Sequence, residues 1–299
     1  MTPTTALNTL ARMSRYAGMR LDLVQAGGGN SSVKLPDGQM YIKASGFWLS
    51  EVTPSSGWSR LPYAAVTALL DAPALAQCPT KAEREAWTTT QVQSLVQEGP
   101  RSSIETLLHA AIPQPYVLHT HPLLVNILAC QPDWDARLQA LFPTAAMVPY
   151  DTPGLELTLA MRTALQAAQA RTGQLPQLFF LQNHGRSVAA DTEADIYALH
   201  HTVLDTLEAH LGTDTAAFRR STEVADALNA ATGRQDIAML CTDEVVQQAV
   251  RQHTQLFLDA PFCPDAYVFC GATALVLDDL TDRAAVARFV ATHHHHPKV

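Results

Sequence analysis

The sequence predicts an α/β fold with a mixed sheet covered by helices, and three observations carry that expectation. Short apolar stretches of strand character alternate with longer stretches of helical spacing along most of the 299 residues. The first two strand-like stretches flank a Pro-Asp-Gly turn, so the sheet opens with a hairpin and is not purely parallel. Apolar residues make up 47% of the chain and charged residues 16%, which supplies a sizeable core and argues against global disorder.

Taken in order, residues 5–20 space Leu7, Leu10, Ala11, Met13 and Met19 as one face of a helix. A small-residue run follows, Gly27-Gly28-Gly29-Asn30-Ser31-Ser32, and then Val33–Leu35 and Met40–Ile42 form the hairpin around Pro36-Asp37-Gly38. Residues 52–60 and 71–87 read as loops on either side of a helix at Ala64–Leu70. Ser102-Ser103 opens a helix through Leu107, Leu108 and Ala111 that stops near Pro113. A strand at 116–120 is followed by an apolar helix at Pro122–Ala129, a strand at 145–149 and an Ala-rich helix at 155–171. A strand at 178–182 leads to a long helix capped by Asp191 or Thr192, with Ile196, Leu199, Val203, Leu204, Leu207 and Leu211 inside. Residues 222–258 read as two helices, followed by strands at Ala266–Phe269 and Ala274–Leu277 and a helix after Asp282.

Net charge and cysteines narrow the function. The formal charge is −8 and no Lys/Arg run breaks it, so nucleic acid and anionic membranes are not expected partners, whereas a small anionic substrate is compatible. Cys78, Cys130, Cys241, Cys263 and Cys270 are scattered, odd in number and without a CxxC, which predicts reduced thiols and a cytoplasmic protein. No signal-peptide pattern and no run long enough to span a membrane is expected. The His293–His296 run is set aside as an adventitious metal binder.

The chemistry concentrates in His119-Thr120-His121, His184 and Glu105. Residues i and i+2 of a strand point the same way, so both imidazoles of the first pair can grip one ion. A third imidazole after a separate strand completes a three-histidine set that leaves a divalent metal an open position, as in catalytic zinc sites. His109, His200, His201, His210 and His253 read instead as hydrogen-bonded core residues. Glu105 has two readings. Ser102-Ser103-Ile104-Glu105 fits the S-x-x-E capping box, which the pattern alone favours; near a metal the same carboxylate would serve as general base or fourth ligand. The loops at 27–32, 44–46 and 102–103 could converge into a phosphate nest without arginine. There is no G-x-S-x-G elbow and no catalytic cysteine setting.

Six pieces, in order, resemble the class II aldolase/adducin family: Gly28-Gly29-Asn30-Ser31-Ser32-Val33, Ile42-Lys43-Ala44-Ser45-Gly46, Ser102-Ser103-Ile104-Glu105, His119-Thr120-His121, Val148-Pro149-Tyr150 with Gly154, and Gln182-Asn183-His184-Gly185. The form Ser-Ile-Glu-Thr-Leu-Leu-His is most similar to the aldolase part of bacterial bifunctional rhamnulose-1-phosphate aldolase/dehydrogenases. The Phe262-Cys263-Pro264-Asp265 segment resembles that subgroup's extension, and without a dinucleotide fingerprint a stand-alone lyase domain is expected.

The resemblance implies a three-layer α/β/α sandwich around a mixed, largely antiparallel sheet at 1–212, with 213–299 as an extension packed on the same domain. It implies Zn²⁺, or another divalent ion, on His119, His121 and His184, with Glu105 as the acid/base and Gly29, Asn30, Ser45, Gly46, Ser102 and Ser103 around a substrate phosphate. The expected activity is a retro-aldol cleavage of a rhamnulose- or fuculose-1-phosphate-like ketose phosphate, in a homo-oligomer for which a tetramer is favoured. An epimerase or dehydratase on the same fold and a non-catalytic metal-binding oligomerisation module are the rivals. Sugar-phosphate aldolases of this type use a tyrosine of a neighbouring subunit as a second proton donor; here Phe142 is the aromatic in that region, and Ala44-Ser45-Gly46 replaces a threonine-bearing loop.

Overall fold

The computed structural model describes residues 1–299 apart from 235–237, 260, 262, 281 and 295–299, so Phe262 and the end of the His293–His296 run lie outside the described residues. Two compact units are present, Met1–Thr213 and Asp214–Val299.

The first unit begins with α1 (Pro3–Gly18), started by Thr2, whose hydroxyl accepts from the Thr5 N–H, and by proline in the first turn. The expected hairpin is β1 (Asn30–Lys34) against β2 (Gln39–Lys43), antiparallel with Val33 opposite Tyr41. Next come β3 (Trp58–Pro62), α2 (Tyr63–Ala68), α3 (Lys81–Ser94) and α4 (Thr106–Ala111). They are followed by β4 (Tyr116–Thr120), α5 (Leu123–Ala129), α6 (Trp134–Leu141), β5 (Ala146–Val148) and α7 (Leu155–Thr172). The unit closes with β6 (Leu178–Leu181), β7 (Gly185–Ala190) and α8 (Glu193–Leu211), and Thr192 rather than Asp191 caps α8 by accepting from the Asp195 N–H.

Among the described residues seven strands run in the order β3-β2-β1-β4-β7-β6-β5, and of these pairs β5 and β6 alone run parallel. Strand alternation sorts the core into two sides. Val33, Tyr41, Leu118, Phe180 and Val188 face residues of α1, α5, α6 and α8. Met40, Ile42, Val117, Phe179, Leu181 and Ala189 face α2, α3, α4 and α7. The result is a helix–sheet–helix sandwich with a mixed, largely antiparallel sheet, as expected.

Two expectations fail in this unit, and one strand was not anticipated. Residues 58–60 are not loop but the start of edge strand β3; the Pro- and Ser-rich approach conceals it, and its register against β2 holds it. Residues 81–87 are not loop but the first half of α3, where Thr80 and Glu83 make a reciprocal capping box. β7, with its polar and small residues Gly185-Arg186-Ser187, lacks a strand-like composition; pairing with β4 on one side and β6 on the other imposes it.

The second unit contains α9 (Ala216–Thr232), α10 (Glu244–Gln252), α11 (Thr254–Leu258), α12 (Pro264–Cys270) and α13 (Arg283–His293). Three helices thus occupy the region read as two. The strands expected at Ala266–Phe269 and Ala274–Leu277 are absent: the first stretch is inside α12, and the second is irregular. Leu275 and Leu277 instead pack beside Ala227, Leu228 and Val286, so their apolar character serves a helix–helix core without a strand ladder. Among the described residues no helix is long and apolar enough to cross a membrane, and Cys78, Cys130, Cys241 and Cys263 are free thiols.

Candidate metal centre

His119 lies on β4, on the side of the sheet that faces α4 and α7, and is fully buried. Its Nδ1 lies 3.0 Å from the Arg186 carbonyl across the β4–β7 ladder. A carbonyl only accepts, so the ring proton sits on Nδ1 and the Nε2 lone pair is free to bind. Two residues on, His121 leaves the strand, and its own N–H donates to the Leu23 carbonyl at 2.8 Å. His184 comes from the tight turn between β6 and β7, where Asn183 takes a left-handed φ of 53° and Leu181 pairs with Gly185.

Glycines make this convergence possible. A Cβ on Gly185 would meet the Thr120 carbonyl at 2.3 Å, and one on Gly28 would meet His121 Nδ1 at 2.8 Å. The glycine run at 27–29 lets the backbone pass close to the histidines.

The three rings form a triangle with centroids 4.9 Å apart for every pair. His119 Nε2 and His121 Nε2 are 3.0 Å apart, and one ligand nitrogen from each of the three rings lies within 4.8 Å of the others. A tetrahedral ion with metal–nitrogen distances of about 2.0–2.1 Å needs nitrogens roughly 3.4 Å apart, so the donor set fits a divalent metal. Burial, followed by the neighbouring His184 and His121, holds His119 well below the ordinary imidazole range. Burial and His184 push His121 down to about 4. Both rings are therefore neutral near pH 7, which is the ligand form.

Glu105 completes the site. It is 5% exposed, with Oε2 3.5 Å from His119 Nε2 and Oε1 3.5 Å from His184 Nε2. Oε2 accepts from Asn30 Nδ2 at 2.5 Å, whereas Oε1 is buried with no hydrogen-bond partner among the described residues. The capping-box expectation is corrected here. α4 starts at Thr106, so Glu105 sits just ahead of the helix and makes no side-chain cap bond. Its N–H donates to Ser103 Oγ at 3.3 Å, and its carboxylate is left to the histidines.

The other expected residues divide. Asn30 pairs with His119 across the β1–β4 ladder and donates to both Glu105 and Ser103 Oγ, the latter at 3.3 Å. Gly29, with a φ of +73°, is packed beneath it against the His119 carbonyl. Ser45 and Gly46 are exposed at the end of β2, and the Ser45 N–H is taken by the Arg101 carbonyl at 2.8 Å. Ser102 is fully buried; its N–H donates to Gln93 Oε1 and its hydroxyl accepts from Gln93 Nε2. Phe142 is a core residue, packed on Phe180 with centroids 5.0 Å apart. Of the histidines read as core, His109 and His200 are buried, while His210 and His253 are exposed and His201 is half-buried. The Gln93 contact with Ser102 and the Arg186 carbonyl beside His119 Nδ1 were not read from the sequence, and the register of β4 against β7 is what would have revealed the second.

The family described as class II aldolase and adducin N-terminal domain matches residues 8–211. The chain belongs to the class II aldolase/adducin family. The structure of the N-terminal class II aldolase domain of a protein from Thermoplasma acidophilum is similar to it, with a TM-score of 0.56 and 21% identity over 69% of this chain and 93% of that one. An L-fuculose-1-phosphate aldolase from Thermus thermophilus aligns with a TM-score of 0.44 and 19% identity, over 70% of this chain and 93% of that one. In sequence, the uncharacterised oxidoreductase YuxG of Bacillus subtilis strain 168 is 26% identical over 113 residues. That match spans 38% of this chain and only 16% of YuxG. The class II aldolase/adducin assignment fits the observed layers, and the His119, His121 and His184 cluster is a place where a family member's metal could be held.

Proposed function

We propose that the first unit is a divalent-metal-dependent aldehyde-lyase that cleaves a ketose phosphate by retro-aldol chemistry. The observation that carries this reading is the placement of Glu105, a buried carboxylate with one oxygen unpartnered among the described residues, beside the Nε2 atoms of two of three convergent histidines.

His119, His121 and His184 would hold the ion, preferentially Zn²⁺. When bound, it supplies Lewis acidity to a substrate carbonyl and its neighbouring hydroxyl. Glu105 carries the proton at the substrate carbon that becomes nucleophilic in the aldol direction. Asn30 fixes the carboxylate through Oε2, so Oε1 is the oxygen turned to the substrate. Gly29, Asn30, Ser45, Gly46 and Ser103 border the phosphate end, with Ser102 supporting that loop from behind. The surrounding burial excludes bulk water from the carboxylate–histidine cluster.

The test is incubation with a panel of ketose 1-phosphates, with zinc and with chelator, followed by product analysis. Two carbonyl fragments formed only with metal are expected. A single inverted centre would make the protein an epimerase, loss of water a dehydratase, and no turnover with stoichiometric metal a binding module.

A further inference from the structure

Glu105 is held in place from outside the histidine cluster. Its backbone N–H and the Asn30 amide both end on Ser103 Oγ, so the carboxylate follows the Ser102–Ser103 segment. The amide group of Gln93 on α3 grips that segment twice. Gln93 Oε1 accepts the Ser102 N–H at 3.1 Å, and Gln93 Nε2 donates to Ser102 Oγ at 3.0 Å. On the other side Ala44 forms an isolated bridge with Ser102. Toward α3, Thr88, Gln93, Arg101 and Ser103 line a small pocket, and Ser102 itself is buried.

The base of the clamp is tied to α7. Glu85, Thr89 and Gln93 follow one another at four-residue steps on one face of α3. Glu85 Oε2 accepts the Leu155 N–H at 2.8 Å at the start of α7, and Arg84 donates to Glu156 Oε1 there at 3.0 Å through Nε. Among the described residues no hydrogen bond or ion pair links α3 to the histidines, which come from β4 and the β6–β7 turn.

We propose that Gln93 is a positioning residue for Glu105, setting the geometry of proton transfer without contributing to metal binding. This rests on reading Glu105 as the proton carrier. A bidentate amide clamp fixes both translation and tilt of the segment, and small misplacement of a catalytic group costs rate steeply.

The test compares Gln93→Leu and Gln93→Glu with the wild type in three measurements on the zinc-loaded protein. These are solvent hydrogen exchange into dihydroxyacetone phosphate, zinc stoichiometry, and backbone amide exchange of peptides covering 100–106 and 116–121. Gln93→Leu keeps the size of the side chain without its hydrogen bonds. It is expected to lower the proton-exchange kcat by about 10- to 100-fold, keep full zinc, and loosen 100–106 while 116–121 stays protected. Gln93→Glu can accept from both the Ser102 N–H and its hydroxyl, and is expected to restore most of the rate. A Gln93→Leu rate within about twofold of wild type, or zinc lost in proportion to rate, would overturn the inference. If the wild type exchanges no substrate proton, the lyase reading is what fails. Faster amide exchange confined to 100–106 in Gln93→Leu then still supports the positioning role, and unchanged exchange there refutes it.

Discussion

Asn30 stands directly opposite His119 in the β1–β4 ladder, and its side-chain amide donates to Glu105 Oε2 at 2.5 Å. Opposed residues of an antiparallel pair share a face of the sheet. One register therefore places a metal ligand and the donor that orients the candidate base side by side. The bond has a charged acceptor and is buried, so it belongs to the stronger class of hydrogen bonds, worth about 1.5–3 kcal/mol.

Asn30→Ala is expected to lower turnover by roughly 10- to 100-fold, since each 1.4 kcal/mol is tenfold. Asn30→Asp should do worse, because it sets a second carboxylate against Glu105 with no donor between them. Zinc analysis of both proteins separates the effects: Asn30→Ala retains stoichiometric metal, and a loss of metal there would make Asn30 a support of the histidines instead.

Glu105→Gln removes the proton carrier while preserving shape. Proton exchange on a hydroxy-ketone phosphate should fall by about 10²–10⁴-fold. His119→Ala or His184→Ala should instead abolish stoichiometric zinc, measured on protein freed of any histidine tail. An unchanged exchange rate in Glu105→Gln would leave the carboxylate with a structural role only.

Much of this site was legible because its chemistry sits on short-range patterns. His119-Thr120-His121 needs only strand geometry, and His184 only a strand followed by a glycine. Glu105 was legible as a residue but not in its role: the S-x-x-E pattern is satisfied in sequence, yet the helix begins one residue after the glutamate. The supports were hidden because they are tertiary. Nothing in the neighbourhood of Gln93 announces Ser102, and Arg186 serves His119 through a backbone carbonyl that carries no side-chain signature. The same logic explains the fold errors. The helix over 81–94 had a readable Thr80–Glu83 box, whereas β7 owes its form to the two strands beside it. At 266–277, β-type residues without a neighbouring strand joined a helix and a helix-packed loop.

Gly185 separates site geometry from general stability. A Cβ there would lie 2.3 Å from the Thr120 carbonyl and 3.0 Å from His121 Cα, both backbone atoms. Gly185→Ala must therefore push β4 and β7 apart between two ligands. About 1–3 kcal/mol of destabilisation and loss of tight zinc are expected. Gly173→Ala is the comparison: its φ of +73° ends α7 with open space around it. It should cost about 1 kcal/mol, the left-handed penalty alone, and leave zinc untouched. Calorimetry with metal analysis checks both; equal zinc affinity in the two variants would show that the turn is more compliant than its packing implies.

Acid sensitivity should trace in part to His109, one turn beyond Glu105 on α4. It is fully buried, with Nδ1 2.7 Å from Ser32 Oγ and Nε2 unpartnered among the described residues. Burial pushes its pKa down to about 3; Glu105 opposes that shift, and His119 and Lys34 add to it. In the unfolded chain the ring takes up a proton below roughly pH 6.5, whereas the folded protein excludes that proton until about pH 3. Between those limits the unfolded state binds more protons, so stability must fall as pH falls, by about 1.4 kcal/mol per pH unit for this group. Above roughly pH 6.5 the group contributes no slope. His109→Gln keeps a partner for Ser32 but cannot titrate. Urea unfolding in chelator between pH 6 and 4 should show the variant's stability declining less steeply than the wild type's, with the remaining slope set by groups that include His119 and His121. Parallel declines would mean that His109 is already protonated in the folded protein and that its burial is relieved by water.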